Sequence, residues 1–336
     1  MIDIRLYGAV ADGVTDCSGA INAAILVGDI IIKDGIFIVA ESIKIPSNRT
    51  VYGKNAKVKL ASGIRDNIFR NSDFVNGNTN CKIIGLGNFS IEQTSANDDN
   101  CVEYGRYGAV NAYKYLAIAF CNVTYFEISG FTMLDAMRWS TVLQKCSYGS
   151  MHDIRLNRYT EIGNEDGIDI CYGSHDLEIY NITGVTEDDF FAINTHPNAD
   201  FAINAGIANY NTQGVYNINC HNFSPTRTIV GSLLALCTGA GNPIHGISSH
   251  GHRPKSCGSI IYTYNESTGS KDDVYDITID DVIVSGIAQD YVSCFMAACK
   301  NITMTNIINN SAKPNYYFDP ADLFENISLN GVNITP

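Results

Sequence analysis

The chain has 336 residues, of which 45 % are hydrophobic and 17 % charged, and its formal net charge is −13. That apolar content supports a packed core and excludes a disordered chain. The acidic balance, with no Lys/Arg block, excludes the concentrated positive charge that a nucleic-acid partner needs.

The opening, Met1–Arg5, lacks the basic region, apolar run and small-residue cleavage site of a secretory leader. The expectation is synthesis in the cytoplasm without a cleaved leader. No apolar stretch is long enough for membrane insertion. Residues 1–30 read as an N-terminal cap, because Ser18–Leu26 carries apolar residues at helical spacing. Eleven cysteines are scattered along the chain with no CxxC pair; Cys294 and Cys299 come nearest to one and have no matching histidine pair. They read as buried thiols rather than a disulfide framework or a zinc site. No metal and no cofactor is expected.

From the middle of the chain onward one short phrase recurs. It runs Asn/Asp, aliphatic, any residue, aliphatic, any residue, Asn/Asp/Gly, aliphatic. Copies occupy Asp176–Ile182, Asn217–Phe223, Asp276–Val282, Asn301–Ile307 and Asn326–Val332, and looser copies end at Phe131 and Ile154. Where no insertion intervenes the copies lie about two to three dozen residues apart, a period that marks a solenoid. The alternating aliphatics predict a short strand with one buried face. The Asn, Asp and Gly positions predict corners, since these residues tolerate left-handed backbone. The pattern predicts an all-β chain, a single-stranded right-handed parallel β-helix over residues 1–336 with a short N-terminal capping helix. Capping fits because open coil edges invite aggregation. Two stretches break the spacing and are expected as inserted loops, near 196–214 and near 239–258; loops on a rigid scaffold are where binding residues concentrate.

Two sets of residues then carry a family resemblance. Tyr7-Gly-Ala-Val-Ala-Asp-Gly-Val-Thr-Asp16, followed by Ala20–Ile25, resembles the N-terminal signature of the pectate-lyase-like superfamily. Asn164-Glu-Asp-Gly-Ile-Asp-Ile170 and Glu187-Asp-Asp-Phe-Phe-Ala-Ile-Asn194 resemble two motifs of the family 28 glycoside hydrolases, the polygalacturonase family. The resemblance implies a polysaccharide substrate and inverting hydrolysis. Asp188 would be the general acid, and Asp189 and Asp166 would hold and deprotonate the water. It offers Asn164, Trp139, His196, Arg227 and His250 as substrate-binding residues.

The chain also departs from that family. Aligning Gly231-Ser232 with the family's Gly-Ser places its motif histidine at Thr226, beside Arg227; a literal Ser249-His250-Gly251 comes later. The place of the family's Arg-x-Lys, Ile260–Tyr264, holds neither Arg nor Lys. These departures imply a neutral or differently decorated glycan rather than plain galacturonan. Phage tailspikes and depolymerases resemble the chain in fold and opening signature, and imply a homotrimer carried on a virion and acting outside the cell. Two other readings stay open: a non-catalytic glycan-binding or structural β-helix, and a polysaccharide lyase on the same fold.

Overall fold

A computed structural model describes residues 1–103, 109–158, 163–196, 201–228, 230–239, 241–265, 270–320 and 323–336. They form two compact units, Met1–Glu165 with Asp200–Tyr210, and Asp166–Ala199 with Asn211–Pro336. In each unit parallel strands stack coil upon coil into a right-handed parallel β-helix.

In the first unit the helix Ser18–Val27 buries Ile21, Ala24 and Ile25, as its spacing predicts. Ile30, Val51, Ile83, Ile128 and Met151 then pair rung by rung and are all fully buried. A second sheet of short strands stacks Ile43, Phe69, Ile118 and Thr141 in the same way. The expected loop near 196–214 has no regular element over residues 201–214; residues 197–200 lie outside the described residues. Its residues 201–210 pack within this unit. The Gln144 side chain acts there like a strand edge: its amide nitrogen donates to Ile203 O at 2.7 Å, and its oxygen accepts from Ile203 N at 2.7 Å.

In the second unit the column runs Leu177, Ile218, Ile247, Ile277, Ile302, Ile327, each at most 2 % exposed. The short-strand sheet stacks Ile168–Cys171, Phe191–Asn194, Ala235–Thr238, Ile261–Asn265, Ser293–Phe295 and Tyr316–Phe318.

The repeated phrase has a direct backbone cause. Its first position is left-handed in every coil of this unit: φ is 53° at Asp176, 54° at Asn217, 65° at Gly246, 56° at Asp276, 54° at Asn301 and 55° at Asn326. Its sixth position is left-handed too, at Asn181, Asn222, Gly251, Asp281 and Asn306. The first-position side chains also bond along the stack: Asn217 Nδ2 donates to Asp176 Oδ1 at 3.0 Å, Asn301 Nδ2 to Asp276 Oδ1 at 2.9 Å, and Asn326 Nδ2 to Asn301 Oδ1 at 3.1 Å. The looser copies follow the same rule with Tyr125 and Tyr148 at the first position, their rings stacked at 5.5 Å. Replacing Asn301 by Ala removes two ladder bonds and the short polar side chain that makes left-handed backbone tolerable, so it should cost about 1–2 kcal/mol. Asn301→Gly should lose clearly less, and urea midpoints of the two variants check this.

The expected loop at 239–258 is corrected. Ile244–His252 is a strand in the long sheet, and Gly246–His252 is a further copy of the phrase. It escapes the pattern because Ser249 and His252 stand where aliphatics should. Both are buried, and they satisfy each other: Ser249 Oγ and His252 Nε2 are 2.8 Å apart, and Phe223 N donates to His252 Nδ1 at 3.0 Å. Burial, with His250 and His221 nearby, pushes the His252 pKa down to about 3, so the ring is held neutral. The eleven cysteines form no disulfide, and all but Cys237 are buried.

Candidate active site

The second unit brings Asp166, Asp188 and Asp189 together through one repeated corner. Leaving the strand His175–Thr186, the chain turns at Glu187-Asp188-Asp189 before entering Phe191–Asn194, and Thr186 Oγ1 clamps the turn by donating to Asp188 O at 2.8 Å. One coil on, Thr228 Oγ1 donates to Gly231 O at 2.6 Å in the same way. Main-chain bonds carry the corner up the stack: Gly167 N to Asp189 O, Phe190 N to Ser232 O and Leu233 N to Ser259 O, each 2.8 Å. Asp166, Asp189, Ser232 and Ser259 thus occupy equivalent rungs. Ser232 N donates to Asp189 Oδ1 at 2.5 Å, and Ser232 Oγ meets Ser259 Oγ at 2.9 Å.

Gly231 is glycine because nothing larger fits. A Cβ there would stand 2.1 Å from the Asp188 carbonyl carbon and 2.2 Å from Asp189 N. This is the Gly-Ser pair that the sequence aligned with the family motif, and it lies directly against the aspartate pair.

A fourth carboxyl joins the group. Asp169 is fully buried and accepts from Asn194 Nδ2 at 2.6 Å. The sequence reading passed over Asp169, although its signal was present: it is the polar residue between Ile168 and Ile170, whose side chains take the opposite face of the strand.

Crowding sets the electrostatics. Burial raises Asp169 well above the ordinary carboxylate range, and Asp189 and Asp188 add to the effect. Burial, then the Asp188 charge, pushes Asp189 up to about 8 against the Ser232 N–H that lowers it. Burial, then Glu187, pushes Asp188 up to about 6. Asp188 and Asp189 are only half-buried by surface, so the corner is open to a ligand while protein packs densely around it. The protons belong to the cluster rather than to single residues. It can hold a proton on one carboxyl and a charge on another at the same pH, which acid–base chemistry on one bond requires.

This crowding should show in stability. The folded cluster holds protons that the unfolded chain has already released, so stability falls as pH rises from about 4 to about 8. The slope is up to about 1.4 kcal/mol per pH unit for each proton. Asp189→Asn keeps an acceptor for Ser232 N but cannot ionise. Its advantage over the wild type should therefore grow through that window, as melting temperatures across pH would read.

The structure does not gather all the expected substrate-binding residues. Trp139 is corrected from platform to packing: it is 3 % exposed, meets the Phe201 ring at 5.3 Å, and its Nε1 donates to Asn164 Oδ1 at 3.2 Å. It therefore orients Asn164, the residue two before Asp166 in the chain. His250 is corrected as well: it lies on the outer face of the long sheet, stacked on His221 at 5.0 Å, away from the carboxyls. His245 sits in a similar stack between Tyr216 and Tyr275. His196 lies beyond the opposite end of the strand Phe191–Asn194 from Asp189, with its carbonyl accepting from the Tyr172 hydroxyl. Arg227 and Thr226 are exposed on the strand Ser224–Thr228 that leads to Gly231.

No family model matches the sequence. A pre-neck appendage protein of Bacillus phage B103 is 36 % identical over 110 residues, which is 31 % of this chain and 12 % of that protein. The chain thus matches only a small part of that relative's length. Among solved structures, the family 28 exopolygalacturonase of Yersinia enterocolitica superposes with a TM-score of 0.62 at 11 % identity, over 99 % of this chain and 79 % of that one. The tailspike protein of E. coli bacteriophage HK620 superposes with a TM-score of 0.62 at 12 % identity, over 96 % of this chain and 66 % of that one. At these identities the likeness establishes the fold, a single-stranded right-handed parallel β-helix with a short capping helix.

Proposed function

We propose that the chain is a polysaccharide-degrading glycoside hydrolase whose Asp188 protonates the leaving glycosidic oxygen while Asp166 and Asp189 hold and deprotonate the attacking water. The observation that carries this reading is the stacked corner itself: four carboxyls in two successive coils, with Asp188 and Asp189 both half-exposed and both raised above the ordinary carboxylate range. Asp169, fully buried, stands on the same coil as Asp166 with its pKa raised well above the ordinary carboxylate range by burial. The phage appendage relative and the tailspike likeness support a setting on a virion. The proposal places the chain there as a homotrimer that acts on a bacterial surface glycan.

A second reading, a glycan-binding β-helix without catalysis, draws on one observation: the position aligned with the family's histidine is an exposed threonine, Thr226. A panel of bacterial surface polysaccharides separates the two. Release of reducing ends by the wild type but not by Asp188→Asn supports the hydrolase. Equal binding of one glycan by both proteins, with no product, supports the binder.

A further inference from the structure

From the carboxyl corner the short-strand sheet can be followed rung by rung. Asp169 pairs with Ala192, Ala192 with Ala235, Ala235 with Tyr262, Tyr262 with Cys294 and Cys294 with Tyr317. The two alanines are buried. At about 4.8 Å per rung, Tyr262 stands three rungs from Asp169 along the stack.

At Tyr262 lies a cavity of about 450 Å³, lined by Tyr262, Gln289, Asp290, Tyr291, Cys294 and Tyr317 among others. Two of its rings, Tyr291 and Tyr317, meet at 5.0 Å and 31°, and the Tyr262 ring stacks on Tyr264 beside the cavity at 6.4 Å and 17°. Its wall is fixed by main-chain and side-chain bonds. Ala288 N donates to Cys257 O at 2.7 Å, Gln289 N to Gly258 O at 3.2 Å, and Gln289 Nε2 to Val230 O at 2.9 Å. Gln289 Oε1 and the Asp290 carboxylate offer acceptors to hydroxyl groups. Lys313 reaches Asp290 at 3.4 Å and balances its charge from outside, so the cavity presents no surplus cation to an anion.

We infer that this cavity is a sugar-binding subsite for a neutral pyranose, stacked on tyrosine faces and hydrogen-bonded by Gln289 and Asp290, and that it makes the chain select an uncharged glycan. Tyr262 and Tyr264 stand within the stretch where the resemblance calls for a carboxylate-gripping Arg-x-Lys. Stacking on a ring face rewards the apolar C–H face of a sugar and gives nothing to a uronate's charge. The inference rests on the glycan-degrading reading for its choice of ligand, but not on catalysis.

Calorimetric titration of the full chain tests it, using both wild type and Asp188→Asn. The probes are neutral tetrasaccharides of glucose, galactose and mannose, with tetragalacturonate as the acidic counterpart. At least one neutral tetrasaccharide should bind about tenfold or more tighter than tetragalacturonate. Tyr262→Ala and Tyr317→Ala should each weaken it by about tenfold. Tyr317→Phe should bind like the wild type, and a normal circular-dichroism spectrum would show each variant folded. Tetragalacturonate binding as tightly, no neutral probe binding, or neutral binding untouched by both alanine changes would overturn the inference. Neutral binding that depends on Tyr262 and Tyr317 in a protein that cleaves nothing would uphold it and remove only the hydrolase reading.

Discussion

Asp188→Asn should lower glycan cleavage by about 10²–10⁴-fold, the usual contribution of a positioned general acid. The substitution is nearly isosteric, and Thr186 clamps the Asp188 carbonyl rather than its side chain, so the corner should keep its shape. What disappears is the proton. The same carboxyl sets a pH dependence: with its pKa pushed up to about 6, the protonated acid is depleted as pH rises through that value. Wild-type cleavage should therefore fall on the alkaline side, about tenfold per pH unit once the acid is mostly ionised. Residual cleavage by Asp188→Asn should lack this limb. Initial rates from pH 4 to 8 (roughly the span between an ordinary carboxyl and a crowded one) check both statements. A variant that cleaves as fast as the wild type would remove Asp188 from the acid role.

Gly231→Ala should be strongly destabilising. Its Cβ would press into the main chain of Asp188 and Asp189 at 2.1–2.2 Å, and backbone in a stacked coil has nowhere to yield. The cost should be about 3 kcal/mol, at the upper end for overpacking. Any relaxation must lift the aspartate corner, and a displacement of about 1 Å there costs about 10²-fold in rate. Gly19→Ala is the matched control. Gly19 lies in the helix Ser18–Val27 with open space around its Cβ position, so alanine should stabilise by about 0.5–1 kcal/mol. Urea melts of the two variants should move in opposite directions.

Both corners of the coil were legible in the sequence, for a conformational reason. Left-handed backbone is expensive for most residues, so Asn, Asp and Gly recur wherever the phrase turns. The copies ending at Phe131 and Ile154 looked loose because Tyr125 and Tyr148 hold the first corner, where stacking helps to accommodate a bulky ring. The coil at Gly246–His252 was hidden because a hydrogen-bonded Ser249–His252 pair fills the core where the pattern looks for aliphatics. Hydropathy cannot register a polar pair that satisfies itself.

At the site, the two aspartate motifs were legible as motifs, and the structure places Asp166 and Asp189 on equivalent rungs. For Asp169, alternation with Ile168 and Ile170 signals the face it takes but not the Asn194 amide that receives it. His250 misled for the opposite reason. A Ser-His-Gly triplet carries the letters of a motif, but its rung belongs to the long sheet, on another face of the coil. Which face a residue takes depends on how many corners precede it, and a hidden coil upsets that count.

Mass spectrometry of a surface polysaccharide digested with the wild type and with Asp188→Asn reads the proposed hydrolysis in its products. Oligosaccharides that each carry one added water at the new end should form with the wild type and be almost absent with the variant. Unsaturated products, or an intact glycan that both proteins bind equally, would contradict it.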